Sequence, residues 1–457
     1  MSFASVNFLL FFLAATALVQ LSKTVKQQHR AFLLANAVFY AYWDARFLLL
    51  LLGVIGVCYA AARLYERSGK PAFIYGGVTA CLLLLGFCKY CNFFISSFAR
   101  AFGLNARTLN ILLPLGISFY LFQAMSYLLD VKKGTIPAEG DFIKLAAYIS
   151  FFPQITSGPI VKAHDFLPQL ERLHRVKKDN VYLGVTRFVT GLTKKVVFAD
   201  RIGVAVNAVF AAPAAYNGLS IAMAVVGYSL QIYCDFSGYS DMAIGIATIW
   251  DFDLGKNFNL PYLAENPLDF WRRWHISLSS WFRDYVYIPL GGSRRGKLRT
   301  YVNLLATMVL SGLWHGANAT YRVWGAYHGV GCVVHRLLGK RGSQKTPWQT
   351  ALCTAANCLF VSAGWVIFRA DSMAQAMAVF SGLFRGDGLC YVNVFVVIYG
   401  LVIALIHLYA RFRLNGNAPT ARLNLDTFRG KLLLCVWVFL IAMLMYCGNS
   451  AFIYANF

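Results

Sequence analysis

Two histidines stand where an acid–base catalyst would: His275 in NLPYLAENPLDFWRRWHISLSSWFRDYVYIPLGGSRRG and His315 in SGLWHGAN. His275 keeps company with Trp271, Arg272, Arg273, Trp274 and Trp281. That mixture suits a membrane interface, where Trp anchors at headgroup depth and Arg snorkels towards water. His315 follows the mostly uncharged run Leu304 to Trp314, which places it within the hydrocarbon zone or a cavity cut into it. An ionisable side chain at that depth is expensive and marks function by default. An imidazole that titrates near neutrality takes a proton from a hydroxyl and returns it to a leaving group. Gly312 and Gly316 leave room beside His315 for a ligand or another helix. The competing readings are a helix-packing role for His315 and a hydrogen-bonded anchor for His275.

Other groups carry less chemistry. Asp235 and Asp241, in YCDFSGYSDMAIG, form a second polar cluster inside an apolar run. They are expected to make structural ion pairs with arginines of the 272–283 group. His174 and Asp179 spell a His-x-x-x-x-Asp pattern, but HRVKKD is a polar loop with no apolar pocket, and a short motif outside its context carries little weight. His164, His328, His335 and His407 are assigned to packing or the interface. The chain ends FIYANF, where Tyr454 supplies a phenol. Its reference pKa of about 10 means that it needs a base partner to act as a nucleophile; the alternative is an aromatic membrane anchor. Of 11 cysteines, only Cys88 and Cys91 sit at metal-like spacing, with no complementary pair, so reduced packed thiols and no metal are expected.

These groups are held by a chain built for lipid. Of 457 residues, 58% are hydrophobic and 13% charged, and mean hydropathy is +0.56. Soluble domains run nearer half apolar and a quarter charged. Apolar segments recur from end to end, at 3–21, 31–43, 47–62, 72–97, 109–130, 142–156, 182–212, 217–250, 301–323, 324–338, 349–368, 391–411 and 432–449. A crossing needs about 20 residues, so roughly eleven to thirteen passes are expected, the shorter pieces tilted or re-entrant. The runs are continuous rather than alternating, which argues against a β-barrel. The 264–300 region interleaves aromatics with Asp269, Arg272, Arg273, Arg283 and Asp284, and reads as amphipathic helices at the interface or lining a water-accessible funnel. Net charge is +23, from 42 Lys and Arg against 19 Asp and Glu. Basic cytoplasmic loops account for that without nucleic acid, and a polyphosphorylated cytosolic donor would also be drawn to them. Lys23, Lys26 and Arg30 follow the first span, so the N-terminus is expected to face outward. No linker divides residues 1–457, which read as one domain.

Collinear stretches carry a family resemblance: PLGISFYLFQAMSYLLDV at 114–131, FFPQITSGPIVK at 151–162, QIYCDFSGYSDMAIG at 231–245, the 257–292 stretch, SGLWHGAN, and GWVIFRADS at 364–372. Together they resemble the membrane-bound O-acyltransferase superfamily, in its bacterial branch of alginate and peptidoglycan O-acetyltransferases and teichoic acid D-alanyl transferases. YIPLGGSRRG looks more like the polysaccharide O-acetyltransferases. The resemblance implies an all-α polytopic membrane protein, its tilted helices ringing a hollow core, with a catalytic core at about 114–372 and a tail motif at 452–457. It implies His315 as the invariant histidine, His275 as its upstream companion and Tyr454 as an acyl relay. The final Ala455 and Asn456 depart from the more aromatic ending of many alginate-type members.

The function so implied is transfer of an acetyl group from cytosolic acetyl-CoA, across the bacterial inner membrane, to a periplasmic SGNH-type transferase or esterase that modifies a cell-envelope polysaccharide. Arg272, Arg273, Trp274, Trp314 and Asn318 are expected to contact the donor, with no metal required. The alternatives are D-alanyl transfer to teichoic acid and a non-catalytic lipid or sugar transporter.

Overall fold

The computed structural model describes residues 1–105, 108–338, 346–419, 422–446 and 448. Those residues form helices with no strand; one isolated bridge joins Tyr216 and Leu389. Helix starts follow local chemistry. Thr24 with Gln27, and Thr346 with Gln349, close reciprocal capping boxes, the second with Pro347 at the first helical position. Asp44 opens Ala45–Ser68 and Gly69, at φ 67°, ends it in the left-handed conformation that glycine adopts without penalty. Among the described residues, five helices are long and apolar enough to cross a bilayer: Ala45–Ser68, Ala72–Ala101, Gly218–Ile249, Pro347–Arg369 and Val394–Arg413. Others, such as Val6–Leu21 and Phe428–Leu444, are apolar but shorter. Leu49, Leu83, Leu359 and Leu401 point outward from the spans, as lipid requires. The protein is an all-α, multi-pass membrane protein.

The chain forms two units. One comprises Met1–Phe188 and Ser240–Gly255. Its core is aromatic: Phe32, Phe151, Phe152, Phe166, Trp250 and Phe252 meet ring to ring. Helix Ile117–Lys133, from the PLGISFYLFQ motif, is buried on almost every face. It starts at 117 rather than 109 because Gly116 turns at φ 68°, where a Cβ would overlap the Ile155 carbonyl. His174 is a packing residue here. Its Nδ1 faces the Trp250 carbonyl at 3.1 Å, its Nε2 the Gln169 carbonyl at 2.7 Å, and its ring stacks on Phe252 at 3.8 Å. His164, given no specific role by the sequence, directs Nδ1 to the buried Asp130 carboxylate at 2.7 Å. Asp241 pairs with Arg187 at 3.1 Å.

The second unit comprises Val189–Tyr239 and the chain from Lys256. The single apolar run 182–212 resolves into Lys178–Leu192, a π-helical stretch Thr193–Ala199, and Asp200–Ala211. The wider π turn carries Lys195, whose Nζ lies 2.7 Å from Asp200 and 2.8 Å from Asp235. The partners expected for Asp235 and Asp241 are therefore corrected. Arg273 pairs with Asp269 four residues earlier on its own helix, and Arg283 with its neighbour Asp284, both closer at hand than any distant carboxylate. Asp235 and Asp200 are both buried, so Lys195→Met removes a cation that two carboxylates share in low dielectric. Such a loss costs about 3–5 kcal/mol. Thermal unfolding in detergent, followed by tryptophan fluorescence, is expected to show a large drop in Tm, and an unchanged midpoint would contradict the pairing.

The break in the C-terminal half also moves. The sequence divides 301–323 from 324–338, whereas the helices are Lys297–His315 and Ala319–Leu338. Gly316 ends the first, and the Asn318 side chain accepts from the Thr320 amide to start the second. A hairpin this short folds the two helices onto each other through glycines. A Cβ on Gly312 would overlap the Tyr321 carbonyl, and one on Gly325 would lie 2.6 Å from the Met308 carbonyl. The space beside Gly312 is filled by the neighbouring helix backbone, and that beside Gly316 by the Tyr321 ring, so neither is left for a ligand.

Candidate active site

His275 lies in the stretch of short helices, outside the five spans. Asn266 caps Pro267–Arg273, Trp274 ends it, and His275 turns the chain into Ile276–Phe282. It does so at φ 42°, a left-handed conformation costly for most residues with a Cβ, although histidine adopts it more readily than most. The turn is tied down by the Asn257 backbone, which accepts the Ile276 amide, and by the Asn257 side chain. Three groups converge on Asn257 Oδ1: His275 Nδ1 at 3.1 Å, the Ser277 amide at 3.3 Å and the Ser277 hydroxyl at 2.8 Å. The imidazole is 1% exposed, with Phe236 edge-on at 4.6 Å and Phe258 at 6.4 Å. Burial pushes its pKa down to about 3, so the ring is neutral.

His315 is the last residue of its helix and is 4% exposed. Trp324 stands edge-on to it at 5.2 Å and Phe368 at 5.0 Å; Tyr321, half-buried, is at 6.2 Å. Trp314 links the two histidines. Its ring is 4.8 Å from His315 and 6.2 Å from His275. Two imidazoles thus share one indole inside a shell from which water is largely excluded. In such a shell a hydrogen bond or a developing charge counts for more than it does in water. Tyr321 is the ring of this shell that extends to the surface.

Of the residues expected to contact a donor, Trp314 is in this cluster. Trp274 packs against Trp365 at 4.8 Å, and Trp365 stacks on Trp324 at 5.9 Å, so Trp274 joins the cluster through rings rather than directly. Arg273 is engaged by Asp269 and by the Asn259 and Gly416 carbonyls. Arg272 is exposed. The Asn318 amide donates to the Asp371 carbonyl at 2.9 Å, a role in holding the turn. Tyr454 lies outside the described residues. Among the described residues no cluster of three metal-ligating side chains occurs.

Sequence reasoning missed Asn257, Trp324 and Phe368. Asn257 stands in KNFN between Lys256 and Phe258, where nothing local signals a buried hydrogen-bonding role. Trp324 and Phe368 carried no signal beyond their type. His328 was assigned to packing, and it sits among Trp271, Trp324 and Phe360, with Gly364 so close that a Cβ there would lie 2.7 Å from its Nε2.

Residues 136–372, which include the whole of this site, match the profile of the MBOAT, membrane-bound O-acyltransferase, family. The chain is 40% identical over 395 residues to a Pseudomonas aeruginosa protein named "Probable alginate O-acetylase AlgI", covering 84% of this chain and 75% of that one. It is 35% identical over 395 residues to the peptidoglycan O-acetyltransferase of Helicobacter pylori, covering 79% and 75%. Identity to the teichoic acid D-alanyltransferase of Bacillus subtilis is 30% over 277 residues, covering 57% and 69%.

Proposed function

Because the chain belongs to the membrane-bound O-acyltransferase family and is an O-acyltransferase, we propose that it moves acetyl from cytosolic acetyl-CoA across the inner membrane to a periplasmic SGNH-type partner. The partner then O-acetylates an envelope polysaccharide, either peptidoglycan or an alginate-like exopolysaccharide. The observation that carries this reading is the pair His275 and His315, both in ring contact with Trp314 in a water-poor shell. Relatives named for alginate and peptidoglycan O-acetylation match more of the chain, at higher identity, than the one named for D-alanyl transfer, which favours acetyl as the cargo.

In the reaction, His315 takes the proton of an attacking hydroxyl as its oxygen bonds to the thioester carbonyl carbon. The C–S bond breaks, and the imidazolium returns the proton to the departing sulfur, so that hydroxyl and thioester become ester and thiol. His275 positions the reactants. With Tyr454 as the first hydroxyl, its phenol carries the acetyl as an ester until the acceptor's hydroxyl attacks and releases it. Transport and transfer then become two easier steps.

The test uses the full chain in membrane vesicles with radiolabelled acetyl-CoA supplied to the cytosolic face and candidate partners to the other. Label on the partner or glycan is the expected result. Thioester left intact in every combination, or label accepted only from a D-alanyl donor, would reject the acetyl reading. For the relay, intact-mass analysis after incubation with acetyl-CoA is expected to show an acetyl adduct at Tyr454. Tyr454→Phe should show none, and an adduct persisting in that variant would place the relay elsewhere.

A further inference from the structure

Asn257 Oδ1 does more than brace a turn, because of what its three neighbours can donate. The Ser277 amide is a donor only, so the Asn257 atom facing it is the carbonyl oxygen and not the NH2 group. That oxygen also accepts the Ser277 hydroxyl at 2.8 Å, shorter than the 3.4 Å from that hydroxyl to His275 Nδ1. With an oxygen 3.1 Å away, His275 Nδ1 must carry a hydrogen, since two lone pairs at that distance repel. A neutral imidazole has one N–H, so Nε2 holds the lone pair.

We infer that Asn257 is a positioning residue for the transfer reaction, holding His275 as the Nδ1–H tautomer so that Nε2 presents a lone pair, and no N–H, to the reactants. This rests on the reading of His275 as part of the active site and narrows it. A histidine with Nε2 as acceptor cannot polarise the thioester carbonyl, which would require an N–H at that atom, while the hydroxyl's proton goes to His315. The left-handed turn at His275 fits the same purpose. The Asn257 backbone accepts the next amide, and its side chain sets the ring, so one residue governs both where the imidazole is and which nitrogen is basic. The groups facing that imidazole include Asn257 and Ser277 and the rings of Phe236, Phe258 and Trp314.

The experiment is steady-state transfer from radiolabelled acetyl-CoA by the full chain in vesicles, with folded yield checked by size exclusion. Asn257→Leu keeps the volume and removes the acceptor. It is expected to lower kcat about 10- to 100-fold while KM for acetyl-CoA stays unchanged. Asn257→Asp keeps an acceptor oxygen and adds charge that stabilises the imidazolium. It is expected to recover most of kcat at alkaline pH and to lose it as pH falls, with the acidic limb moved upward relative to the parent. Because Asn257 acts through His275, Asn257→Leu combined with His275→Ala is expected to be no slower than His275→Ala alone.

Wild-type kcat in Asn257→Leu, losses that multiply in the double variant, or a folded Asn257→Asp as slow as Asn257→Leu at every pH would each overturn the inference. If His275→Ala is itself fully active, the reading of His275 falls and this inference falls with it. If His275→Ala is inactive while Asn257→Leu is not, only the role of Asn257 is lost.

Discussion

His315→Ala is expected to abolish polysaccharide O-acetylation in cells while the protein stays folded and in the membrane. The expectation combines chemistry and packing. General acid–base catalysis by a positioned side chain is worth about 10²–10⁴ in rate, and the surrounding rings leave little water to substitute for the imidazole. The fold does not depend on that ring to the same degree. The Lys297–His315 and Ala319–Leu338 helices are joined through Gly312 and Gly325, on helix backbone rather than on residue 315. His315→Gln separates the two effects further. It fills most of the space left by the imidazole, yet an amide cannot take up and return a proton, so it is expected to be as inactive as the alanine variant. The readouts are ester acetate released from purified glycan by mild alkali, and the amount of monodisperse protein extracted in detergent. Near-normal acetylation in either variant would remove His315 from the mechanism. Loss of the protein in both would leave Tyr321→Ala, which opens the shell without touching the imidazole, as the variant expected to be extracted intact.

The second large effect is structural. Gly325→Leu is expected to leave no active protein, because its added carbons have no space to occupy. The Cβ alone would lie 2.6 Å from the Met308 carbonyl, 3.1 Å from the Val309 Cα and 3.2 Å from the Gly312 Cα. All three are main-chain atoms, so the clash is relieved only by separating the helices. Overpacking typically costs about 1–3 kcal/mol where side chains can yield, and here they cannot, so the loss is expected at or beyond the top of that range. Separation also pulls Trp324 away from His315, and activity should fall with stability. Gly53 and Gly56 are the contrast: both lie in Ala45–Ser68 with nothing within 4 Å of an added Cβ. Alanine there is expected to be neutral or to stabilise the helix by up to about 1 kcal/mol. Tm in detergent distinguishes these outcomes, and Gly325→Leu melting like the parent would show that the helices are not in direct backbone contact.

The helices of this protein were largely legible, because what makes them is local. The apolar run 217–250 became Gly218–Ile249, and 349–368 became most of Pro347–Arg369. In both, composition alone dictates a lipid-compatible helix. The charged aromatic stretch at 264–300 lacks the composition of a span, and it is a series of short helices. Errors arose where a continuous apolar run concealed an interruption. The 182–212 run passes through a π turn that carries Lys195, whose amine meets two buried carboxylates that spacing does not mark as its partners. The break at 316–318 was present as Gly316 and Asn318, but apolar residues on both sides drew the reading to a later boundary.

The sequence by itself determined that this chain lives in lipid, that it belongs among the O-acyltransferases, and that His275 and His315 are the residues to examine. Those properties are carried by hydrophobic runs and by short strings of residues, each readable without its neighbours in space. Only the tertiary structure decided that Trp314 touches both imidazoles, that Trp324 and Phe368 close around His315, and that Asn257 selects which nitrogen of His275 bears the hydrogen. The physical reason is that burial preference belongs to a residue and its local stretch of chain. The direction of a hydrogen bond and the facing of two rings belong to pairs, and a pair separated along the chain exists only once the helices have packed.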